Sequence, residues 1–316
     1  MLDVVYFGNY SAYGLAPLPV LQRHARVVGV VEGGYVATHG GEARFRGLLG
    51  PLRRRLLRHS PYLHARAAGL PATFWTKDRV DEVEARLRAW KPDLAVVASF
   101  PGLLPERILS IPRLGFVNIH PSALPLHRGP DPVSWIYLEG HTESAMTLHR
   151  LDAGEDTGDI LAQAPLAIPP DMTPARFLQV AMGACLELLP GVLEGLERGT
   201  LQGRPQAHLP CPQRGRRLKA GEDPYRLETW SLDHSARALH LLGDVRPAAL
   251  TTGAAARHAW RFLGTEAGPA GELPAGALGK DDRGWFLAHR EGKLRVAPVS
   301  DWKGALKGRL LKLILG

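Results

Sequence analysis

Apolar positions in the first two-thirds of the chain fall into short continuous runs separated by stretches of helical period. Leu2-Asp3-Val4-Val5-Tyr6-Phe7-Gly8 is the first run, and Arg26 to Val31, Asp93 to Ala98 and Gly115 to His120 repeat the form. Runs of this kind belong to strands buried on both faces, as in a parallel sheet covered by helices. Between them, residues 17–24 read as a short helix. Val80, Val83, Leu87 and Trp90 make one stripe of a helix from Asp78 to Trp90, with Asp78 as its cap. Thr73-Phe74-Trp75 fits a short strand, and Pro105 to Ser110 and Val133 to Leu138 fit short helices. Ser144 to Leu151 and Ile160 to Ile168 are two more strands joined by an acidic turn. A long helix then runs from Thr173 or Pro174 to about Arg198, with Pro190 as a kink or break.

Strands alternating with helices predict an α/β fold over residues 1–199, with a Rossmann-like, mostly parallel sheet. Such sheets bind ligands beyond the carboxyl ends of their strands, where the loops 98–104 and 120–130 leave. Gly8 and Gly14 alone do not make a G-x-G-x-x-G fingerprint, so no bound dinucleotide is expected.

The pattern changes after residue 199. Residues 200–222, rich in Gly, Pro, Gln and Arg, read as a linker, and 223–316 as a separate small unit. There Ser231 or Asp233 caps a helix to about Leu242. Short strands at Ala254–Leu263, Gly276–Lys280, Gly284–His289 and Lys293–Val296 suggest a small, OB-like β-barrel. Trp302 to Leu315 alternates Lys/Arg with Leu. Residues 32–70 are unusual: Phe45, Leu48, Leu49, Leu52 and Leu56 fall at helical spacing, interrupted by Gly50-Pro51, among six arginines from Arg44 to Arg58. Such a segment either lies on RNA, a membrane surface or an acidic partner, or packs into a core with its arginines solvated.

Charge sharpens this division. The net charge is +8, yet residues 1–199 hold 20 basic and 20 acidic residues, and residues 200–316 hold 19 and 11. The whole surplus lies in the last third, as expected of a domain that meets a polyanion, although a solubility charge gives the same count. No run of 18 apolar residues predicts a membrane span. Cys185 and Cys211 form no metal-ligand spacing; a reducing, cytoplasmic setting and no metal are expected.

Candidate chemistry concentrates between Gly115 and Ile160. Side chains alternate along a strand, so Asn118 and His120 share one face while Val117 and Ile119 share the other. An acidic segment follows, with Asp152, Glu155, Asp156 and Asp159. An amine attacking a formyl carbon needs a donor for the oxygen that becomes negative and a route for the departing proton. Asn118 can supply the first, and His120 the second or an imidazolium donor. A carboxylate, assigned here to Asp156, raises the histidine pKa and orients a water or the amine. Asn-x-His alone is weak evidence, since a buried His satisfied by a carbonyl is the commoner case.

Three ordered elements change that balance: Asn118-Ile119-His120-Pro121-Ser122-Ala123-Leu124-Pro125, then Arg128-Gly129-Pro130, then Leu151-Asp152-Ala153-Gly154-Glu155-Asp156-Thr157-Gly158-Asp159-Ile160. Together they resemble the 10-formyltetrahydrofolate-dependent formyltransferase family. The resemblance implies Asn118, His120 and Asp156 as catalytic residues and 10-formyltetrahydrofolate as co-substrate. It puts the pterin between Phe100–Leu104 and residues 152–156, which implies donor contacts from Phe100, Gly102, Leu103, Leu104, Ser122, Leu124, Pro125, Asp152, Gly154 and Glu155. Gly154 and Gly158 are expected to give the folate loop its positive φ.

Glu228-Thr229-Trp230-Ser231 and the strands after it are similar to the C-terminal domain of methionyl-tRNA formyltransferases, which implies tRNA as partner through that domain and residues 44–58. The 32–70 segment and Arg128-Gly129-Pro130-Asp131-Pro132 depart from those enzymes. A small amine such as a nucleotide-linked amino sugar is therefore the alternative acceptor. A non-catalytic RNA-binding paralogue and simple hydrolysis of the donor also remain open. His127 and Arg128 are candidate contacts to an acceptor phosphate or carboxylate, whereas His149 reads as structural rather than acceptor-facing.

Overall fold

The computed structural model describes residues 1–33, 58–206, 214–219, 222–242 and 244–299. The expected basic helix at 44–58, apart from Arg58, and the 302–315 tail lie outside the described residues.

The larger sheet is built from β1 (Asp3–Asn9), β2 (Arg26–Gly33), β3 (Ala72–Phe74), β4 (Leu94–Ala98), β5 (Phe116–His120), β6 (Glu143–Arg150) and β7 (Ile160–Ala167). Their order is β3-β2-β1-β4-β5-β6-β7. The first five pair in parallel, while β6 joins β5, and β7 joins β6, antiparallel. Alternation along the parallel strands feeds two cores. Val4, Tyr6, Val96, Val117 and Ile119 enter one of them. Val5, Phe7, Val97 and Phe116 enter the other. Asn118 and His120 thus share the Phe116 face.

The helices follow the apolar stripes. Over the chain's first half these are α1 (Ala12–Leu15), α2 (Pro17–His24), α3 (Pro61–Ala67), α4 (Val80–Trp90) and α5 (Glu106–Leu109). Asp78 lies in a 3₁₀ turn before α4 and does not cap it, and Val83 and Leu87 are the buried part of the predicted stripe. Next comes α6 (Pro132–Leu138). The long helix α7 (Pro174–Glu197) is capped by the Thr173 side chain and runs through Pro190 without a break. By length and composition α7 is apolar enough to cross a membrane. Here Phe177, Ala181, Cys185, Leu189 and Val192 bury themselves against the sheet.

In the C-terminal part, the Ser231 side chain caps α8 (Leu232–Leu239) by accepting from the His234 amide. This helix is tied to the larger sheet's layer: His234 Nε2 donates to Leu138 O (2.6 Å) and Arg237 Nη1 to Ile168 O (2.6 Å). Gly140 is needed at that contact, because a Cβ there would stand 2.6 Å from the His234 ring. The strands β8 (Ala259–Ala267), β9 (Leu278–Asp281), β10 (Gly284–His289) and β11 (Gly292–Val299) form an antiparallel sheet in the order β8-β11-β10-β9. Among the described residues β8 and β9 are the edge strands of this four-stranded sheet, an arrangement compatible with a small β-barrel.

Candidate active site

The antiparallel step from β5 to β6 creates the site. It sets Asn118 opposite His149 and His120 opposite Thr147. The loop after β5 is then fastened from below. Ser122 Oγ donates to Leu126 O (2.8 Å), Thr147 Oγ1 donates to Ser122 O (2.6 Å), and Gln163 Nε2 donates to Leu124 O (3.1 Å). Ser122 and Leu124 are therefore buried. Pro125, half-buried, follows them on the same loop, and none of the three is among the residues that line the cleft. Their polar groups are already used within the fold.

Asp156 gathers the catalytic candidates. Its Oδ1 accepts from Asn118 Nδ2 (3.1 Å), and its Oδ2 accepts from the Gly129 amide (2.9 Å). His120 Nδ1 is 3.5 Å from Oδ2, and His149 Nε2 is 3.4 Å from Oδ1. Burial opposes ionisation of Asp156, but the imidazoles of His120 and His149 and the Gly129 N–H outweigh it and hold the carboxyl well below the usual range. The left-handed residue of this loop is Asp156 itself (φ 53°), not Gly154 or Gly158. Those glycines serve close approach instead: a Cβ on Gly158 would meet Arg150 O at 2.1 Å, and one on Gly154 would meet Thr157 Oγ1 at 2.0 Å.

Hydrogen bonds to carbonyls fix both rings, since a carbonyl oxygen only accepts. His120 Nε2 donates to His127 O (3.1 Å), which leaves Nδ1 as the lone pair of the neutral ring, facing Asp156. Burial holds the His120 pKa below its ordinary value, against the pull of Asp156. His149 Nδ1 donates to Arg150 O (2.7 Å), so its neutral Nε2 accepts from Asn118 Nδ2 (3.2 Å). Both N–H bonds of the Asn118 amide are thereby engaged. His149 thus sits inside the constellation that its sequence context did not reveal; only the β5–β6 register exposes it.

His127 and Arg128 do not face the cleft as acceptor contacts. His127 is buried and donates from Nε2 to Glu139 Oε2 (2.8 Å), which also accepts from His141 Nε2 (3.0 Å). Burial works against the Glu139 charge, yet those two histidines draw its pKa down to about 2. The Arg128 guanidinium is held by Gln206 Oε1 (2.8 and 3.0 Å). Among the described residues, His120/His149/Asp156 and His127/Glu139/His141 each bring three ligand atoms within 4.8 Å, a spacing a metal can use. In the second group a metal on Nε2 moves the His127 proton to Nδ1, a buried atom with no acceptor among the described residues, so the hydrogen-bonded form is favoured.

A cleft of about 690 Å³ opens over these groups. Phe100, Gly102, Leu103 and Leu104 line one side, Asp152 to Asp156 another, and Asn118 and His120 the floor between. Phe100 is set edge-on against Phe7 (5.3 Å between ring centres), which makes this wall firm, while Leu103 is 71% exposed. Asp152 closes its own loop, accepting from Thr157 Oγ1 (2.6 Å) and the Gly154 amide (3.0 Å). An amide donor, a buried imidazole and a carboxylate beneath an apolar slot suit acyl transfer from a flat heteroaromatic carrier.

The described geometry has counterparts. Residues 53–192 match the model of the formyl transferase family. The chain is 42% identical over 155 residues to the methionyl-tRNA formyltransferase of Chloroflexus aggregans, covering 49% of this chain and 50% of that one. It is 35% identical over 209 residues to that of Roseiflexus sp., covering 66% and 60%. The chain thus spans about half the length of the curated relatives it matches. Among solved structures, the N-formyltransferase from Helicobacter canadensis, in complex with folinic acid and dTDP-3-aminofucose, has a TM-score of 0.62 at 13% identity, over 94% of this chain and 99% of that one. Glycinamide ribonucleotide transformylase 1 from Symbiobacterium toebii has a TM-score of 0.51 at 21% identity, over 65% and 93%. At these identities the likeness is one of fold.

Proposed function

We propose that this chain, whose residues 53–192 match the formyl transferase family, moves a formyl group from 10-formyltetrahydrofolate to a primary amine, that of methionyl-tRNA. The observation that carries the chemistry is the convergence of Asn118, His120 and Asp156 under the cleft. The pterin takes the slot between Phe100–Leu104 and the 152–156 loop, with Glu155 and Gly154 at its rim. The amine nitrogen bonds to the formyl carbon, and the carbonyl oxygen becomes an oxyanion that Asn118 stabilises by turning to it the N–H that otherwise faces His149 Nε2. One such donor is worth about 10²–10³-fold in rate. His120 Nδ1, the lone pair of a ring kept neutral by burial, takes the amine proton. Asp156 balances the imidazolium, which returns the proton to N10 as the C–N10 bond breaks. The products are the formylated amine and tetrahydrofolate.

Methionyl-tRNA is favoured as acceptor by relatives of that name at 35–42% identity and by the basic surplus in residues 200–316. In this reading residues 1–199 are the catalytic domain, 200–222 a linker and 223–316 the domain that meets tRNA, its antiparallel strands belonging to an OB-like barrel. The segment 44–58 is a second tRNA contact and the cytoplasm the site of action. A nucleotide-linked amino sugar is the alternative, favoured by the fold likeness to a sugar N-formyltransferase over 94% of the chain. An acceptor screen decides: formylated product, detected by mass, is expected from methionyl-tRNA, with KM rising steeply with salt because phosphate contacts release counterions. Product from amino sugars alone, or a salt-insensitive KM, overturns the tRNA assignment.

A further inference from the structure

We infer that Gln206, in the stretch that reads as a linker and outside the residues matched to the family, is a positioning residue that locks the two catalytic loops together. Its side chain uses every strong hydrogen-bonding group it has. Oε1 accepts from Arg128 Nε (3.0 Å) and Nη2 (2.8 Å), on the loop that follows His120. Nε2 donates to the carbonyls of Asp156 (2.9 Å) and Gly158 (2.7 Å), on the acidic loop. One neutral side chain thereby spans the gap between the loop carrying His127 O, which orients His120, and the loop carrying the Asp156 carboxylate.

The chain around Gln206 is itself anchored. Arg204 exchanges both backbone hydrogen bonds with Ile160 (2.9 and 2.8 Å) at the start of β7. Gly203 lies so close that a Cβ would meet Asp159 Cβ at 2.5 Å. Further on, the Gly215 amide donates to Arg128 O (2.8 Å) and Gly215 O accepts from the Asp131 amide (2.7 Å). Residues 201–206 and 214–215 are thus fastened to the catalytic loops. Asp156 holds a left-handed backbone (φ 53°), uncommon for a non-glycine residue though Asp tolerates it better than most, and the Gln206 bond to its carbonyl helps to hold it there.

The consequence is electrostatic. Asp156 favours the imidazolium of His120 from 3.5 Å, and the attraction weakens as the separation grows. Releasing the acidic loop should lower the His120 pKa and slow proton transfer. Gln206→Met keeps the length and removes all four bonds; Gln206→Asn, one methylene shorter, stays polar but cannot reach both loops.

Two measurements test this. NMR titration of the His120 ring, assigned by its absence in His120→Ala, should move down by about half a unit or more in both variants. Turnover, the arm that rests on the formyl-transfer reading, should fall about tenfold or more in kcat with a smaller change in KM for the donor. In an Asp156→Asn background the further loss from Gln206→Met should nearly vanish, which a purely structural role would not produce. An unchanged His120 titration, or a loss undiminished in that background, overturns the inference. A parent chain without turnover refutes the formyl-transfer reading instead, and the titration then decides Gln206 alone.

Discussion

Glu32, at the end of β2, allows a stability prediction with a definite sign. It is fully buried, and its Oε2 accepts from Ser60 Oγ (2.5 Å) and the Tyr62 amide (2.9 Å) at the start of α3. Its Oε1 is buried without a hydrogen-bond partner among the described residues. Burial raises the carboxyl from 4.5 to about 7, even though those two donors pull the other way. Below about pH 4.5 folded and unfolded chains are both protonated at this residue and no penalty exists. As pH rises through 7 the folded carboxyl must ionise in place, and stability is lost. The difference between 4.5 and 7 corresponds to about 3 kcal/mol. Glu32→Gln removes this titration and keeps the side-chain shape. Any fixed cost of burying the amide is the same at every pH, so the informative quantity is the mutant-minus-parent difference. Thermal melts between about pH 4.5 and 8.5 should show that difference shifting toward the mutant by about 3 kcal/mol, roughly 5 °C or more in Tm. His120, His234 and His240, whose pKa values burial holds low, oppose this trend but act in both proteins and cancel. A difference that stays flat with pH refutes the reasoning.

Asn118→Ala, His120→Ala and Asp156→Ala should each lower formyl-transfer turnover by at least about 10²-fold, Asp156→Ala with a lowered Tm as well because its ionised carboxylate is bonded within the fold, and parental turnover in His120→Ala would dismiss its assignment as the proton carrier. Gly158→Ala brings a Cβ within 2.1 Å of Arg150 O and must push the acidic loop aside. A rise in donor KM together with a fall in kcat is expected, and wild-type kinetics would mean that the loop's position is not critical.

Much of the larger sheet was legible in the chain because it rests on local patterns. The continuous apolar runs became β1, β2, β4 and β5 within a residue or two, since strands buried on both faces need apolar side chains at every position. Pro17–His24 and Pro174–Glu197 likewise followed their stripes and caps. The two-residue period put Asn118 and His120 on one face, and the acidic motif supplied Asp156. These are properties of neighbours along the chain, and composition with spacing suffices to see them.

The rest depended on contacts between distant segments. His149 became part of the site only because β6 runs antiparallel to β5 and brings it opposite Asn118. Ser122 and Leu124 belong to a loop whose inward side is chosen by Thr147 and Gln163, which lie 25 and 39 positions further on. The positive φ fell on Asp156 because its carboxylate is fixed from several directions, while the adjacent glycines were needed for close packing. Gln206 looked like linker because nothing local marks a side chain whose four partners lie 48 to 78 residues earlier. By itself the sequence determined the chemistry-bearing residues and the sheet that carries them. Tertiary structure alone decided their protonation and mutual distance, because burial, strand register and loop closure are set by which remote groups compete for each hydrogen bond.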